Sequence, residues 1–152
     1  MRRQTKQERC RDLFDTYKCI KKGVPVRRSM AKDSSIPTHP VVPVDPDKQE
    51  SCVLAECLDW LRQHHVFCNR HDCGAGDFGF GYATYGIKNA GDIIGILYNG
   101  IHFEIETKAG KGGRLSKGQQ KRMQDVRNCH AYYFVVHGVS ELEYCFKQEG
   151  LI

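Results

Sequence analysis

Val53, Leu54, Cys57, Leu58 and Leu61 recur with the period of an α-helix and predict an amphipathic helix over roughly residues 48–64. Asp47, with Glu50 three residues on, has the spacing of a capping box at its start. Val66 to Arg70 reads as a short strand. Residues 74–91 carry Gly74, Gly76, Gly79, Gly81, Gly86 and Gly91, with Tyr82 and Tyr85 among them, and predict an irregular loop or a ragged hairpin. Asp92 to Leu97 is apolar and β-branched, hence a strand. Tyr98-Asn99-Gly100 supplies a turn, and Ile101 to Lys108 alternates as the next strand. Lys111-Gly112-Gly113 breaks it. Ser116 is placed to cap a second helix running to about Cys129, and Ala131 to Val136 forms a further apolar strand. Residues 139–147 fit a short helix or a strand. This order predicts an α/β fold, a central mixed β-sheet of about four strands flanked by helices.

All five prolines (Pro25, Pro37, Pro40, Pro43 and Pro46) fall within residues 23–46, so regular structure is not expected there. Before them, Leu13, Phe14, Tyr17 and Ile20 give residues 1–22 the modest apolar face of a basic helix. The chain of 152 residues therefore divides into a basic N-terminal extension and Pro-rich linker (1–45) and a folded domain (46–152). No apolar run is long enough for a transmembrane helix, and the charged start is not that of a secretory signal. A cytoplasmic protein is expected, or one in a host's cytoplasm if viral. The eight cysteines then read as reduced thiols, with Cys57 and Cys68 facing the core. Cys68 and Cys73, with His64, His65 and His71 nearby, make half a zinc site without a second tight pair.

Charge changes the picture through its distribution. Residues 1–32 hold eleven Lys/Arg against three acidic residues, and residues 108–127 hold seven against Asp125 alone. Residues 51–107, between them, are net acidic. Two basic segments around an acidic middle suit a polyanionic partner, nucleic acid first, although a solvated surface would look the same.

The chemistry sits in the strand Ile101–Lys108. His102, Glu104, Glu106 and Lys108 share one face, and Ile101, Phe103, Ile105 and Thr107 the other. The preceding strand begins at Asp92. A two-residue Asn99-Gly100 turn sets Asp92 opposite Thr107, whereas a three-residue turn from Tyr98, or a bulge, sets it opposite Glu106. Both registers bring the carboxylates to one end of the hairpin. Two carboxylates beside a lysine suit a hard divalent cation, Mg²⁺ or Mn²⁺, and phosphodiester hydrolysis.

Gly91-Asp92, followed by Glu106-Thr107-Lys108 after a short hairpin, resembles the PD-(D/E)xK nuclease motif. The continuation Lys111-Gly112-Gly113-Arg114-Leu115-Ser116-Lys117-Gly118-Gln119 resembles one branch, the virus-type replication–repair nuclease (VRR-NUC) domain. Glu50 and Arg70 fall in the order of that branch, over about residues 48–137, with Gly91 standing where the motif's name has proline. The resemblance implies a restriction-endonuclease-like core. It implies metal ligation by Asp92, Glu106, the Thr107 carbonyl and a first-helix acid, with Lys108 catalytic and Gln119 orienting water or metal. Glu50 rather than Glu56 is taken as that acid because it shares the apolar stripe's face.

Lys111, Arg114, Ser116, Lys117 and Lys121 are assigned to DNA phosphates, with Ser116 also a cap; Arg122 and Arg127 follow on the same stretch and are placed for phosphates too, with a solvated helix face as the alternative. Arg70 is assigned to DNA with an ordinary surface ion pair as its alternative. The function so implied is a metal-dependent, structure-selective DNA endonuclease, acting as a homodimer on branched DNA such as four-way (Holliday) junctions and using no small-molecule cofactor. Cleavage of flaps, nicks or single-stranded ends is the alternative substrate reading. A non-catalytic basic DNA-binding module is the alternative to an enzyme.

Overall fold

A computed structural model of the protein describes residues 33–77, 79 and 81–152. The predicted basic helix over 1–22, with Cys10 and Cys19, lies outside the described residues. The chain forms two compact units, Met1–Ile36 and Pro37–Ile152. In the first, the Ser35 amide and hydroxyl both donate to Asp33 Oδ1 (3.0 and 2.8 Å). In the second, part of the Pro-rich segment is tied down. The Val41 amide donates to Glu141 Oε1 (2.9 Å) and the Ser140 hydroxyl to the Pro43 carbonyl (3.2 Å).

The elements are β1 (Ile36–Thr38), α1 (Glu50–Gln63), β2 (Phe67–Arg70), β3 (Gly74–Asp77), β4 (Tyr82–Tyr85), β5 (Ile93–Ile96), β6 (His102–Thr107), β7 (Gly113–Leu115), α2 (Lys117–Asn128), β8 (Tyr132–Val136) and α3 (Val139–Gln148). The fold is mixed α/β. Its main sheet runs β2-β5-β6-β8, with β2, β5 and β6 antiparallel in turn and β8 parallel to β6. Val53, Cys57, Leu58 and Leu61 of α1 and Leu142 and Phe146 of α3 bury one face of this sheet, against Ile93, Leu97, Phe103, Ile105, Phe134 and Val136. Phe146 makes edge contacts with Trp60 and Phe103 in the middle of that layer. Burial pushes the Cys57 thiol up to about 12, so it packs as an inert small hydrophobe. The six described cysteines (Cys52, Cys57, Cys68, Cys73, Cys129 and Cys145) are free thiols, with Cys57 buried and Cys68 half-buried.

Three expectations need correction. The capping box at Asp47 is not formed. Gln49 is the N-cap without a side-chain cap bond, and Glu50 is the first helical residue. Asp47 and Lys48 instead close a turn on Asp45, whose side chain accepts from the Asp47 amide (3.0 Å). The Pro-rich segment contains a strand, β1, and the glycine break after β6 contains another, β7. The Gly113 amide donates to Thr38 Oγ1 (3.1 Å) there. The polar face of β6 is buried. Glu104 and Glu106 are 0% and 2% exposed. The sheet is covered on both faces, and α2 lies over the carboxylates.

Ser116 caps α2 as expected. Its hydroxyl accepts from the Gln119 amide (3.2 Å) while Gln119 Oε1 accepts from the Ser116 amide (2.9 Å), a complete capping box. Ser116→Ala is expected to lower stability by about 1 kcal/mol, read as the shift in urea midpoint at unchanged slope. An unshifted midpoint would remove the cap from the account of where α2 starts.

Candidate active site

The β5–β6 turn sets the geometry. Leu97 N donates to the Ile101 carbonyl (2.9 Å), and Gly100 takes the left-handed conformation (φ 83°) that such a three-residue loop requires. Ile93 therefore pairs with Ile105 and Ile94 with Glu104, and the ladder ends at the first of these pairs, with Asp92 the residue just before Ile93 and Glu106 the residue just after Ile105. Of the two registers open in the sequence, this is the three-residue one. Asp92 Oδ2 accepts from the Thr107 amide (2.8 Å) and the Thr107 hydroxyl (2.7 Å). Among the described residues nothing donates to Asp92 Oδ1.

Glu106 is the centre of the cluster. Its Oε1 accepts from Lys108 Nζ and from Gln119 Nε2 (both 2.5 Å), and its Oε2 from the Tyr133 hydroxyl (3.4 Å). Lys108 is only 7% exposed. Burial first, then the charge of Asp92, raise the Glu106 carboxyl to about 7 against the pull of Lys108, and Glu50 adds a further push upward. Burial also raises the Tyr133 phenol, helped by Glu106 and Glu104. Glu50 thus acts on Glu106 through its charge from an exposed position at the start of α1. Glu56 is held by Lys48 Nζ (2.7 Å).

The cluster opens into a cleft of about 530 Å³ lined by His71, Cys73, Asn89, Asp92, Glu106 and Gln119, among others. Its rim is the base of the β3–β4 hairpin. The His71 amide donates to the Asp92 carbonyl (2.7 Å), and His71 Nε2 accepts from the Ile87 amide (2.9 Å). Gly86 (φ 73°) closes the hairpin where an added Cβ would lie 2.3 Å from the Asp72 carbonyl.

The structure therefore brings Asp92, Glu106, Thr107, Lys108 and Gln119 together, with Ser116 on the cleft wall and Glu50 near enough to be felt. Lys111 in the turn before β7, Arg114 on β7, and Lys117 and Lys121 on α2 are exposed, Lys121 beside Asp125 (3.4 Å), whereas Arg122 is turned to Glu104 and Arg127 donates to the Tyr133 carbonyl (2.8 Å). Arg70 does not enter the cluster. It pairs with Asp72 (Nη2 at 2.9 Å), the surface ion pair that was its alternative. Among the described residues no three His, Cys, Asp or Glu gather so as to hold a metal ion, which includes the Cys68/Cys73 neighbourhood. The carboxylate cluster is accordingly a two-ligand pair, Asp92 and Glu106.

Sequence reasoning missed a second buried carboxylate. Glu104 accepts from the Gly91 amide (3.0 Å), His102 Nε2 (3.0 Å) and the Arg122 guanidinium (Nε at 3.1 Å). Burial raises its carboxyl, and these donors more than reverse that, leaving it below the usual range. The signal was present: Glu104 shares a strand face with Glu106, and an acidic face on an inner strand demands partners. Gly91 is also explained. A Cβ there would come 2.7 Å from the Ile105 carbonyl, and its amide is spent on Glu104. Gly91→Ala is expected to destabilise by about 2 kcal/mol through backbone crowding. Gly91→Pro, which restores the residue in the motif's name, should cost more because it also removes the donor. Unfolding curves test both, and a neutral proline variant would overturn this account.

No protein-family model, curated protein or solved structure matches this chain. Among the described residues no helix is long and apolar enough to cross a membrane.

Proposed function

We propose that the chain is a divalent-metal-dependent DNA endonuclease with a restriction-endonuclease-like core of the VRR-NUC kind, acting as a homodimer on branched DNA. The observation that carries this reading is the convergence of Asp92 and Glu106 at one hairpin end, with Lys108 and Gln119 on the same Glu106 oxygen, inside an open cleft.

The donor set fits Mg²⁺ or Mn²⁺. Asp92 Oδ1 is available, Glu106 lies near enough to feel its charge, and both are hard oxygen donors whose mutual repulsion a cation would relieve. Two carboxylates and a main-chain carbonyl such as that of Thr107 suffice for an ion that keeps several waters. When bound, the cation would polarise a phosphoryl oxygen and acidify a water. The chain's own residues do the rest. Glu106 must be ionised to ligate. Lys108, released from Glu106, can hold the attacking water or the charge developing on the phosphate oxygen. Gln119, pinned by the cap of α2, keeps its amide aimed at Glu106. Lys111, Arg114, Ser116, Lys117 and Lys121 lie on β7, on α2 and in the turns beside β7, after the catalytic strand, where they can take DNA phosphates. A two-fold dimer would present two such sites to the opposed strands of a junction.

The test is a panel of end-labelled DNAs (four-way junction, flap, nicked duplex, single strand, linear duplex) at fixed salt with Mg²⁺, Mn²⁺ or EDTA. Cation-dependent nicks concentrated in the junction support the reading. Products mainly from flaps, nicks or ends would keep the chemistry and change the substrate. A non-catalytic DNA-binding module is the second reading. One observation favours it: both Glu106 oxygens are already satisfied by Lys108, Gln119 and Tyr133. Tight DNA binding with no cation-dependent product on any substrate would select it.

A further inference from the structure

Glu104 is fully buried at the middle of β6, and a buried carboxylate is costly unless paired. The Arg122 guanidinium alone, with Nη2 and Nε on Oε1 and Nε reaching Oε2 as well (3.3 Å), is enough to balance its charge, and His102 Nε2 adds a contact to Oε1 (3.0 Å). The fold nevertheless brings a further donor to its other oxygen. Oε2 accepts from the amide of Gly91, the residue immediately before Asp92 (3.0 Å). Arg122 lies three residues beyond Gln119, one turn along the same face of α2. The two oxygens of one side chain thus tie together the peptide that launches Asp92 and the helix that launches Gln119. Both of those residues bear on Glu106, Gln119 by a hydrogen bond and Asp92 by its charge, and Glu106 is two residues along the strand from Glu104 itself. Gly91 cannot be held there by packing from a side chain of its own, since its Cα faces the Ile105 backbone.

We infer that Glu104 is the positioning residue of the carboxylate site: through Gly91 and Arg122 it sets the separation of Asp92 and Gln119 about Glu106, and hence the site's affinity for a divalent cation. The inference rests on the endonuclease reading for the site's purpose. Glu104 itself touches neither cation nor phosphate. Gln in its place has one acceptor oxygen: turned to Gly91 it keeps only the longer Arg122 Nε contact and sets its NH₂ against Nη2, and turned to Arg122 Nη2 it sets its NH₂ against the Gly91 amide, so one of the two ties is lost or weakened.

The experiment measures Mn²⁺ binding to the full chain without DNA, by the loss of free-ion electron paramagnetic resonance signal, for wild type, Glu104→Gln, Arg122→Gln and Leu142→Ala. Leu142 is a buried residue of α3 on the opposite side of the sheet and serves as a destabilised control. Losing an outer partner of a metal ligand typically weakens binding by about 10- to 100-fold. That weakening is expected for Glu104→Gln and Arg122→Gln. The Mn²⁺ concentration for half-maximal nicking should rise in the same proportion, while the rate at saturating Mn²⁺ falls by far less. Leu142→Ala should lower the melting temperature and leave Mn²⁺ affinity unchanged. If Glu104→Gln does not fold, Arg122→Gln carries the same expectation. Wild-type Mn²⁺ affinity in both substituted proteins, whatever their melting temperatures, would reduce Glu104 to a structural ion pair and overturn the inference. A wild-type chain that binds no Mn²⁺ at all would instead remove the endonuclease reading, and the inference with it.

Discussion

Asp92→Ala and Lys108→Ala are each expected to lower Mg²⁺- or Mn²⁺-dependent nicking by about 10³-fold, the scale on which removing one charge-stabilising group acts. Asp92→Ala takes away the carboxylate whose Oδ1 is available to a cation, and with it the acceptor for both Thr107 donors. Lys108→Ala leaves the ligands in place and removes the only side-chain ammonium that, among the described residues, donates to Glu106. The two failures should therefore differ. Mn²⁺ binding is lost in Asp92→Ala and kept, or tightened, in Lys108→Ala, because Lys108 competes with the cation for Glu106 Oε1. Glu106 is better replaced by Gln than by Ala, since Gln still accepts from Lys108 and Gln119 and the fold is spared an unpaired buried ammonium. Circular dichroism on each variant separates lost chemistry from lost structure. Cleavage that survives all three substitutions would end the assignment of this cluster as the reaction centre.

The second large effect is a pH dependence of stability in metal-free protein. The ordinary value of the Glu106 carboxyl is 4.5, and burial beside Asp92 raises it to about 7 in the folded chain. Between those values the folded state holds a proton that the unfolded state has released. The protonated group's contribution is present in full below pH 4.5, declines as pH rises, and is lost once pH passes through about 7. The separation corresponds to about 3 kcal/mol at most. Denaturant unfolding in EDTA at pH 5, 6, 7 and 8, wild type against Glu106→Gln, isolates this group from the other titrating residues. The wild type should lose about that much relative to the variant across the series. Saturating Mn²⁺ at pH 8 should restore the wild type alone, since binding to the folded state adds stability by mass action. A wild-type-minus-variant difference that stays flat from pH 5 to pH 8 would show that Lys108 neutralises Glu106 throughout.

These two results bear on each other. A carboxyl poised near 7 is protonated in part of the population at neutral pH, and only the ionised form ligates a cation. Nicking should accordingly rise with pH through the same interval in which metal-free stability falls. Charge that is a burden to the empty site is what the occupied site uses, the exchange expected where like charges are forced together.

Much of this molecule was legible in its one-dimensional pattern. The stripe of Val53, Cys57, Leu58 and Leu61 specified α1 to within two residues at its N-terminal end, because 3.6-residue periodicity is a local property. The same holds for Ser116 and Gln119, whose capping box needs only four consecutive residues. Asp92, Glu106 and Lys108 could be named as a group because a hairpin is a short-range device, whereas Gln119 joined them only through the resemblance to the nuclease motif. What neighbours in sequence cannot express is coverage and register. The turn at Tyr98-Asn99-Gly100 admitted two pairings, and the fold selected the one that keeps Ile93 and Ile105 together in the core. His102, Glu104 and Glu106 alternate as a half-solvated strand would. It is the arrival of α2, contributed by residues 117–128, that buries the two glutamates and obliges Arg122, Gly91, Lys108 and Tyr133 to meet them. The sequence by itself determined which groups are present and the local elements that carry them. Only the tertiary structure decided which carboxylate is charged cheaply, which is held near neutrality, and which of them faces the cleft, because desolvation and pairing depend on what packs from elsewhere in the chain.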